Sequence, residues 1–594
     1  MKKRLIALFL ALCMLLSFGT GCSPAALLQA ARMVMSLQEE KKPAVEVPSS
    51  STSSQAEESS SSVVEEEEEE SSAVEVPALR DYFADDVWRA DLHFDEMTYE
   101  HYELGAFEAV AEEMLLVMEE DPTVDNFYTV DSDLVWELYY IYTLYTIIEL
   151  EYMADLNDTW AAEEYAYTEE VWYEAYDIYW ETLGIVAKEH PDAMVDSYAD
   201  WQIEWFAEYE PGDGSENELY LMESDLLQVY YELIAEPAPD VDALCDLFVE
   251  LVAVRNDIAA YYGYDNYADY AYENLYYKAY TPEDSQLIWQ ATKDYFVPVL
   301  TSYEAFAPGN VTGLDCSPEA VLSAMNEHLP ELSPEVYEAF RYMIENELYD
   351  IAPSDTKAET GYTVSLYVAN EPFIFNCPYG NWYDYTDMFH EFGHFLNSYY
   401  VPSDLVFGAP DNDLCELQSQ GMEIMFTQWY PEIFGESNAN AVLYDLLCNM
   451  MYSVQQGAMY DEFQQRVYAE ENLTSDKVLD IYREVYLEYG NAPYAGYEYE
   501  WAYVTHNFEY PFYYISYCVS AIPALELYAM LQEDVDAAED IYLTVAAMDP
   551  EWYYFSDAVE EAGLREVFSE ETFAHTAAAV AETLALLANK GTLV

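Results

Sequence analysis

Basic side chains are scarce in this chain: 19 lysines and arginines stand against 116 aspartates and glutamates in 594 residues, a formal charge of -97. A nucleic-acid partner needs a cationic footprint, so this composition excludes one. It also excludes electrostatic docking on an anionic membrane. The excess acid reads as a solvated surface that keeps the protein dispersed, with a negative cleft for cationic peptides as the sharper alternative. Cysteine is sparse as well. The eight copies, at 13, 22, 245, 316, 377, 415, 448 and 518, lack the paired close spacing of a zinc ribbon or a redox motif. Apart from Cys13 and Cys22 they read as buried thiols, of which an extracellular setting would allow one or two disulfides. Histidine is equally rare, and five of the eight, at 93, 101, 190, 328 and 575, stand apart from one another and read as surface or satisfied core. Past the first twenty residues no apolar run is expected to reach the length of a membrane span. No internal repeat stands out at the known periods.

What is present is core-forming. Hydrophobic residues make up 52% and aromatics 16%, with 60 tyrosines, each of which buries a ring and keeps a polar tip. The amino terminus is different in kind. Lys2, Lys3 and Arg4 precede an apolar run from Leu5 to Phe18, the pattern of a secretory signal. Gly19-Thr20-Gly21-Cys22 follows and resembles a bacterial lipoprotein cleavage site, with an aliphatic residue replaced by Gly19. That resemblance makes Cys22 the expected lipidation site and places the protein on the bacterial cell surface, lipid-anchored on the extracytoplasmic side. Residues 43 to 77 are rich in Ser, Glu, Val and Pro, and their self-repelling charge predicts an extended tether. The expected organisation is a signal over 1–22, a disordered tether over 23–80, an N-terminal helical lobe over 81–355 and a catalytic lobe over 356–594.

From about Ala78 the composition is that of a folded body. Leu134 to Ala154, Asp225 to Ile234 and Val241 to Tyr262 carry apolar residues at three- and four-residue steps, which predicts amphipathic helices. Pro211-Gly212, Pro308-Gly309 and Pro378 with Gly380 mark turns. Tyr362 to Val368 and Pro372 to Phe375 have β-branched and aromatic content, which predicts a small antiparallel element. The fold class is mostly α.

Directly after that element comes His390-Glu391-Phe392-Gly393-His394, an HExxH motif. On a helix, residues four apart share a face, so both imidazoles can point a nitrogen at one zinc ion. Glu391 stands one residue on, placed to take a proton from water attacking a peptide carbonyl. With so few histidines, chance would produce this pattern about once in a hundred such chains. The apolar flanks Met388, Phe389, Phe392, Phe395 and Leu396 suit a buried helix.

A catalytic zinc takes three protein ligands and keeps one position open. Tyr400 and Asn397 stand where a metzincin has histidine and glycine, so that class is excluded. Two glutamates in the next segment, Glu416 and Glu423, lie seven apart and would share a helix face. Ser419 and Gln420 could orient a ligand histidine, or be an ordinary polar face.

The HEFGH string, with Glu416-x-x-Ser419-Gln420-x-x-Glu423 beginning 22 positions after His394, resembles the thimet oligopeptidase and oligoendopeptidase F family of zinc metallopeptidases. The likeness runs from about residue 360 to 530 and takes in Pro372 to Asn376, Asp461 to Phe463 and Leu473 to Gly490. It implies a helical, two-lobed body with a deep substrate channel, one zinc per chain, and short peptides as substrates. It also implies Glu416 as the third ligand, with Glu423 as a supporting carboxylate. A histidine and tyrosines that touch substrate and oxyanion would be His506, Tyr517 and Tyr510, with Tyr513 and Tyr514 as neighbours. Tyr510, Tyr514 and Tyr517 have helical spacing, although Pro511 would interrupt a smooth helix. The expected activity is hydrolysis of short peptides; the alternative is a peptide-binding surface lipoprotein without catalysis.

Overall fold

The computed structural model describes residues 82–83, 87–90, 92–208, 215–234, 239–303, 311–358 and 360–589. The leader, Cys22, the tether and the turns at Pro211-Gly212 and Pro308-Gly309 lie outside the described residues.

The chain is mainly helical. Helices α1 (Leu104–Glu120), α2 (Val124–Ala154) and α3 (Thr159–Glu189) pack on one another, and the residues they bury, such as Phe107, Leu138 and Tyr179, form a core of their own. Caps set the boundaries. Asp158 accepts hydrogen bonds from the Trp160 and Ala161 amides to open α3, and Asp240 accepts from Ala243 to open α4 (Val241–Tyr261). The periodic segments at 134–154, 225–234 and 241–262 all fall in helices, the second inside Ser215–Ile234. A second, larger core runs from Phe83 to Leu587 and encloses the site.

The sheet has three strands in the order β1-β3-β2, formed by β1 (Tyr349–Asp350), β2 (Gly361–Leu366) and β3 (Glu371–Asn376). β2 and β3 are the expected antiparallel pair, in a register that sets Thr363 opposite Ile374; β1 adds a short parallel edge. β2 stops before Val368, because Ala369 and Asn370 turn back onto Leu366 and Tyr367 and Asn370 takes a φ of 57°.

Behind the sheet lie α5 (Tyr383–Tyr400), α6 (Asn412–Phe426), α7 (Tyr430–Tyr468, broken at Gly435), α8 (Ile515–Glu533), α9 (Val535–Ala546) and α10 (Glu570–Asn589). Against the expectation that no later segment would reach that length, α8 is apolar and long enough to cross a membrane. Its apolar window is 83% buried, enclosed by α6, α7, α9 and α10, which accounts for a helix hydrophobic all round. The cysteines at 245, 316, 377, 415, 448 and 518 are free thiols.

Candidate metal centre

β2 and β3 pack against α5 and set its start. Asp384 ties the turn before the helix by accepting hydrogen bonds from the Tyr379 and Gly380 amides at 2.7 and 2.9 Å. Gly380 takes a φ of +73° there. His390 and His394 then lie one turn apart with ring centroids 5.0 Å from each other. Glu416, on α6, brings a carboxylate between them: one donor atom from each of the three lies within 4.8 Å of the others. His390 Nε2 is 3.5 Å from Glu416 Oε2.

That convergence depends on how closely α5 and α6 approach. A Cβ on Gly393 would lie 2.6 Å from Ser419 Cα and 2.9 Å from the Gln418 carbonyl oxygen, so only glycine admits the second helix at this depth. The pair is locked from behind. Asn397 Nδ2 donates to the Ala546 and Met548 carbonyls, and Gln418 Nε2 to those of Val545 and Met548, so the end of α9 holds both helices. Lys278, buried, donates to Asp413 of α6 at 3.3 Å and to Ser516 of α8 at 2.7 Å.

The supporting contacts sort themselves by geometry. Glu423 Oε1 sits 2.8 Å from His390 Nδ1, which leaves Nε2 for the centre. Ser419 Oγ reaches not a histidine but the Glu416 carbonyl and carboxylate, at 3.1 and 3.3 Å. Gln420 faces a cavity beside His390. Thr363 of β2 donates to Glu391 Oε2 at 2.8 Å. Nothing in the sequence marks Thr363, because the contact joins a strand to a helix 28 residues on. Asp387, one turn before His390, is buried beside the site; its helical spacing from His390 was the available signal.

Electrostatics favour a cation here. Burial lowers the His390 pKa, yet the hydrogen bond and charge of Glu423 and the charges of Glu416 and Glu391 outweigh it and carry the imidazole up to about 9. Burial and the charge of His390 hold His394 well below its ordinary value. Burial pushes Glu416 up to about 8 and Glu391 upward. Crowded acids that hold their protons and a histidine that gains one are what three ligands do when they face each other. A divalent ion would hold all of them deprotonated. The donor set fits such an ion: His390 Nε2 and Glu391 Oε1 are both buried without a hydrogen-bond partner among the described residues, and two imidazoles plus one carboxylate suit zinc.

The histidine and tyrosines downstream gather by a different route from the expected one. No helix spans them: a 3-10 turn covers Thr505–Asn507, Phe512 takes a φ of 70°, and α8 starts only at Ile515. Pro511 and this turn fold the segment back on itself. The rings of Tyr510, Tyr513, Tyr514 and Tyr517 lie 5.1 to 6.1 Å from that of His506. Tyr517 Oη is 3.5 Å from His506 Nε2 and faces the same cavity as His390. Burial brings the His506 pKa down to about 4, so the ring is neutral at ordinary pH.

Residues 321–545 match the sequence profile of peptidase family M3, a span that includes His390, Glu391, His394, Glu416, Glu423 and the His506–Tyr517 group. Over that span the chain is similar to peptidase family M3. No curated protein matches it in sequence. Solved structures with this fold extend over nearly their whole length. One is PZ peptidase A with an inhibitor, at 21% identity and a TM-score of 0.66, covering 83% of this chain and 99% of the other. A Bacillus anthracis str. Ames protein assigned as an oligoendopeptidase F aligns at 20% identity and a TM-score of 0.64, covering 84% and 98%. Oligoendopeptidase F from Enterococcus faecium aligns at 14% and 0.51, covering 84% and 98%. The chain therefore shares the helical fold of these structures, with its small sheet beside the helix that carries His390 and His394. The segment that matches the peptidase profile holds a His-His-Glu group of metal-binding geometry.

Proposed function

We propose that this chain is a zinc-dependent endopeptidase of the M3 type acting on short peptides. The observation that carries the reading is the convergence of His390, His394 and Glu416, with Nε2 of His390 and Oε1 of Glu391 buried and without a hydrogen-bond partner among the described residues. When bound, zinc supplies a Lewis acid that makes water nucleophilic near neutral pH and polarises the scissile carbonyl. Glu391 takes the proton of the attacking water through Oε1, while Thr363 fixes its other oxygen, and then delivers that proton to the leaving amine. Tyr517 donates a hydrogen bond to the oxygen that gains charge, and the neutral His506 ring beside it keeps the phenol in place. The Tyr510 ring lies 6.1 Å from that of His506. The names of the structural relatives, oligoendopeptidase F among them, support short peptides as the substrates.

The test is cleavage of a quenched fluorescent peptide by the wild type and by Glu391→Gln, with the zinc content of both measured. About one zinc per chain in each, with the rate in the variant down by about 10²- to 10⁴-fold, is the expected result. Equal rates would end the mechanism, and no bound metal in carefully handled wild type would end the assignment of the centre.

The same proposal includes delivery: lipidation at Cys22 with residues 23–80 as a spacer, so that the enzyme works outside the bacterial cell and touches the membrane only through its anchor. Cys22→Ser should release the protein or leave it unprocessed. Retention of a fully processed, membrane-bound variant would refute the anchor.

A further inference from the structure

Next to His394 and Glu416, and lined in part by His390 and Tyr517, lies a cavity of about 90 Å³. Three helix faces form it. Tyr383, Thr386, Asp387 and His390 come from α5, Gln420 and Glu423 from α6, and Leu446, Asn449, Met450 and Ser453 from α7, with Trp382 at the rim and Tyr517 closing one side. These positions repeat at three and four residues, so each helix presents one continuous face. Because His390 and Tyr517 both line it, the cavity opens where a substrate residue flanking the cleaved bond must sit.

Two of its polar groups are acceptors without a donor. Asp387 is 7% exposed and Gln420 8%, and both line the cavity. Asp387 Oδ2 and Gln420 Oε1 accept no hydrogen bond among the described residues. Two independent side chains thus hold buried, unsatisfied acceptors at the same cavity, an arrangement that costs free energy until a donor arrives. Glu423 adds a second carboxylate, turned to His390. No lysine or arginine lines the space, and the one basic side chain there, His390, is turned to Glu423 and Glu416. Trp382 and Tyr383 stack at 3.9 Å and give it an aromatic wall of the kind that attracts cations.

We propose that this cavity is a specificity pocket that takes the cationic nitrogen group of the substrate residue beside the scissile bond, a lysine or arginine side chain or a free amino terminus. The inference rests on the peptidase reading and names its substrate class. An ammonium or guanidinium brings several N–H donors and no acceptor, which matches Asp387 and Gln420 and mismatches an acidic side chain. The surrounding charge of -97 raises the local concentration of such peptides before they bind.

The experiment is digestion of a peptide library by the zinc-loaded wild-type enzyme, with cut sites read by mass spectrometry. It is followed by kcat/KM on matched peptides that differ only in the flanking residue: Lys, Arg, Leu or Glu. We expect lysine or arginine to be enriched on one side of the cut and preferred over leucine at least tenfold. Amino-terminal acetylation separates the two sources: if it leaves cleavage intact the side chain is the cation, and if it abolishes cleavage the terminal amine is. Asp387→Asn, nearly isosteric, should reduce the Lys-to-Leu ratio at least tenfold. Ser453→Lys, which places a cation on the α7 wall, should lower cleavage of the lysine peptide and raise that of the glutamate peptide. A wild type that cuts leucine and lysine peptides equally, or variants that change all peptides by the same factor, would overturn the pocket and leave the peptidase standing. A wild type that cuts no peptide would overturn the peptidase reading and this inference with it.

Discussion

Glu423 Oε1 lies 2.8 Å from His390 Nδ1 and turns the opposite ring nitrogen toward Glu416. The glutamate that touches no open position therefore decides which histidine nitrogen is offered. Removing such a partner typically costs 10- to 100-fold in metal affinity. Glu423→Ala should weaken zinc binding by about that factor in a competition titration, and cleavage at saturating zinc should recover in large part. Unchanged affinity would show that the ring is held some other way.

Thr363 Oγ1 donates to the Glu391 carboxylate at 2.8 Å from a different element, strand β2. Hydrogen bonds to charged groups contribute about 1.5–3 kcal/mol, so loss of this one should be visible in catalysis. Thr363→Val should lower kcat about tenfold or more with KM little changed, and Thr363→Ser should restore it. A drop in melting temperature with kcat intact would assign the threonine to the fold alone.

Gly393 has Ser419 Cα 2.6 Å from where a Cβ would stand. Gly393→Ala must push α6 away from α5. It should destabilise the protein by about 1–3 kcal/mol, the usual range for overpacking, and lower zinc affinity because Glu416 moves with its helix. Denaturant unfolding and metal titration check the two effects; a stable variant with native affinity would contradict the close approach.

Stability should fall as pH rises. Burial pushes Asp131, Glu149, Asp411, Asp445 and Glu551 up to about 7, and Asp461 to about 6. In the unfolded chain such carboxyls titrate near pH 4. Between about pH 4 and 7 the folded state therefore binds more protons than the unfolded state, so unfolding free energy decreases with rising pH. With chelator present to remove the metal contribution, the melting temperature should be higher at pH 5 than at pH 8, and Asp131→Asn should narrow the gap. A melting temperature that rises from pH 5 to pH 8 would be inconsistent with these burials.

Much of the fold was legible in residue spacing. The helices over 134–154 and 241–262 and the β2–β3 pair follow from local periodicity, because a half-buried helix or strand must repeat its apolar side chains at its own pitch. Less was legible where chain reversal decides. The tyrosines around His506 have helical spacing, but Pro511 and the left-handed Phe512 gather them by a turn. Likewise α8 reads as a membrane span by composition alone, and only its neighbours identify it as a core helix.

The sequence by itself determined the chemistry on offer: two histidines and a glutamate at helical spacing, two candidate carboxylates downstream, and an excess of acid over base. Those are local facts, set by which residues stand three and four apart. Tertiary structure decided the arrangement. Glu416 turns inward while Glu423 holds a ring, Thr363 reaches Glu391 across the strand, and Asp387 and Gln420 face one cavity. These depend on the depth and rotation at which α6 meets α5. Packing of distant side chains, including those at the end of α9, fixes that geometry, and no local spacing encodes it.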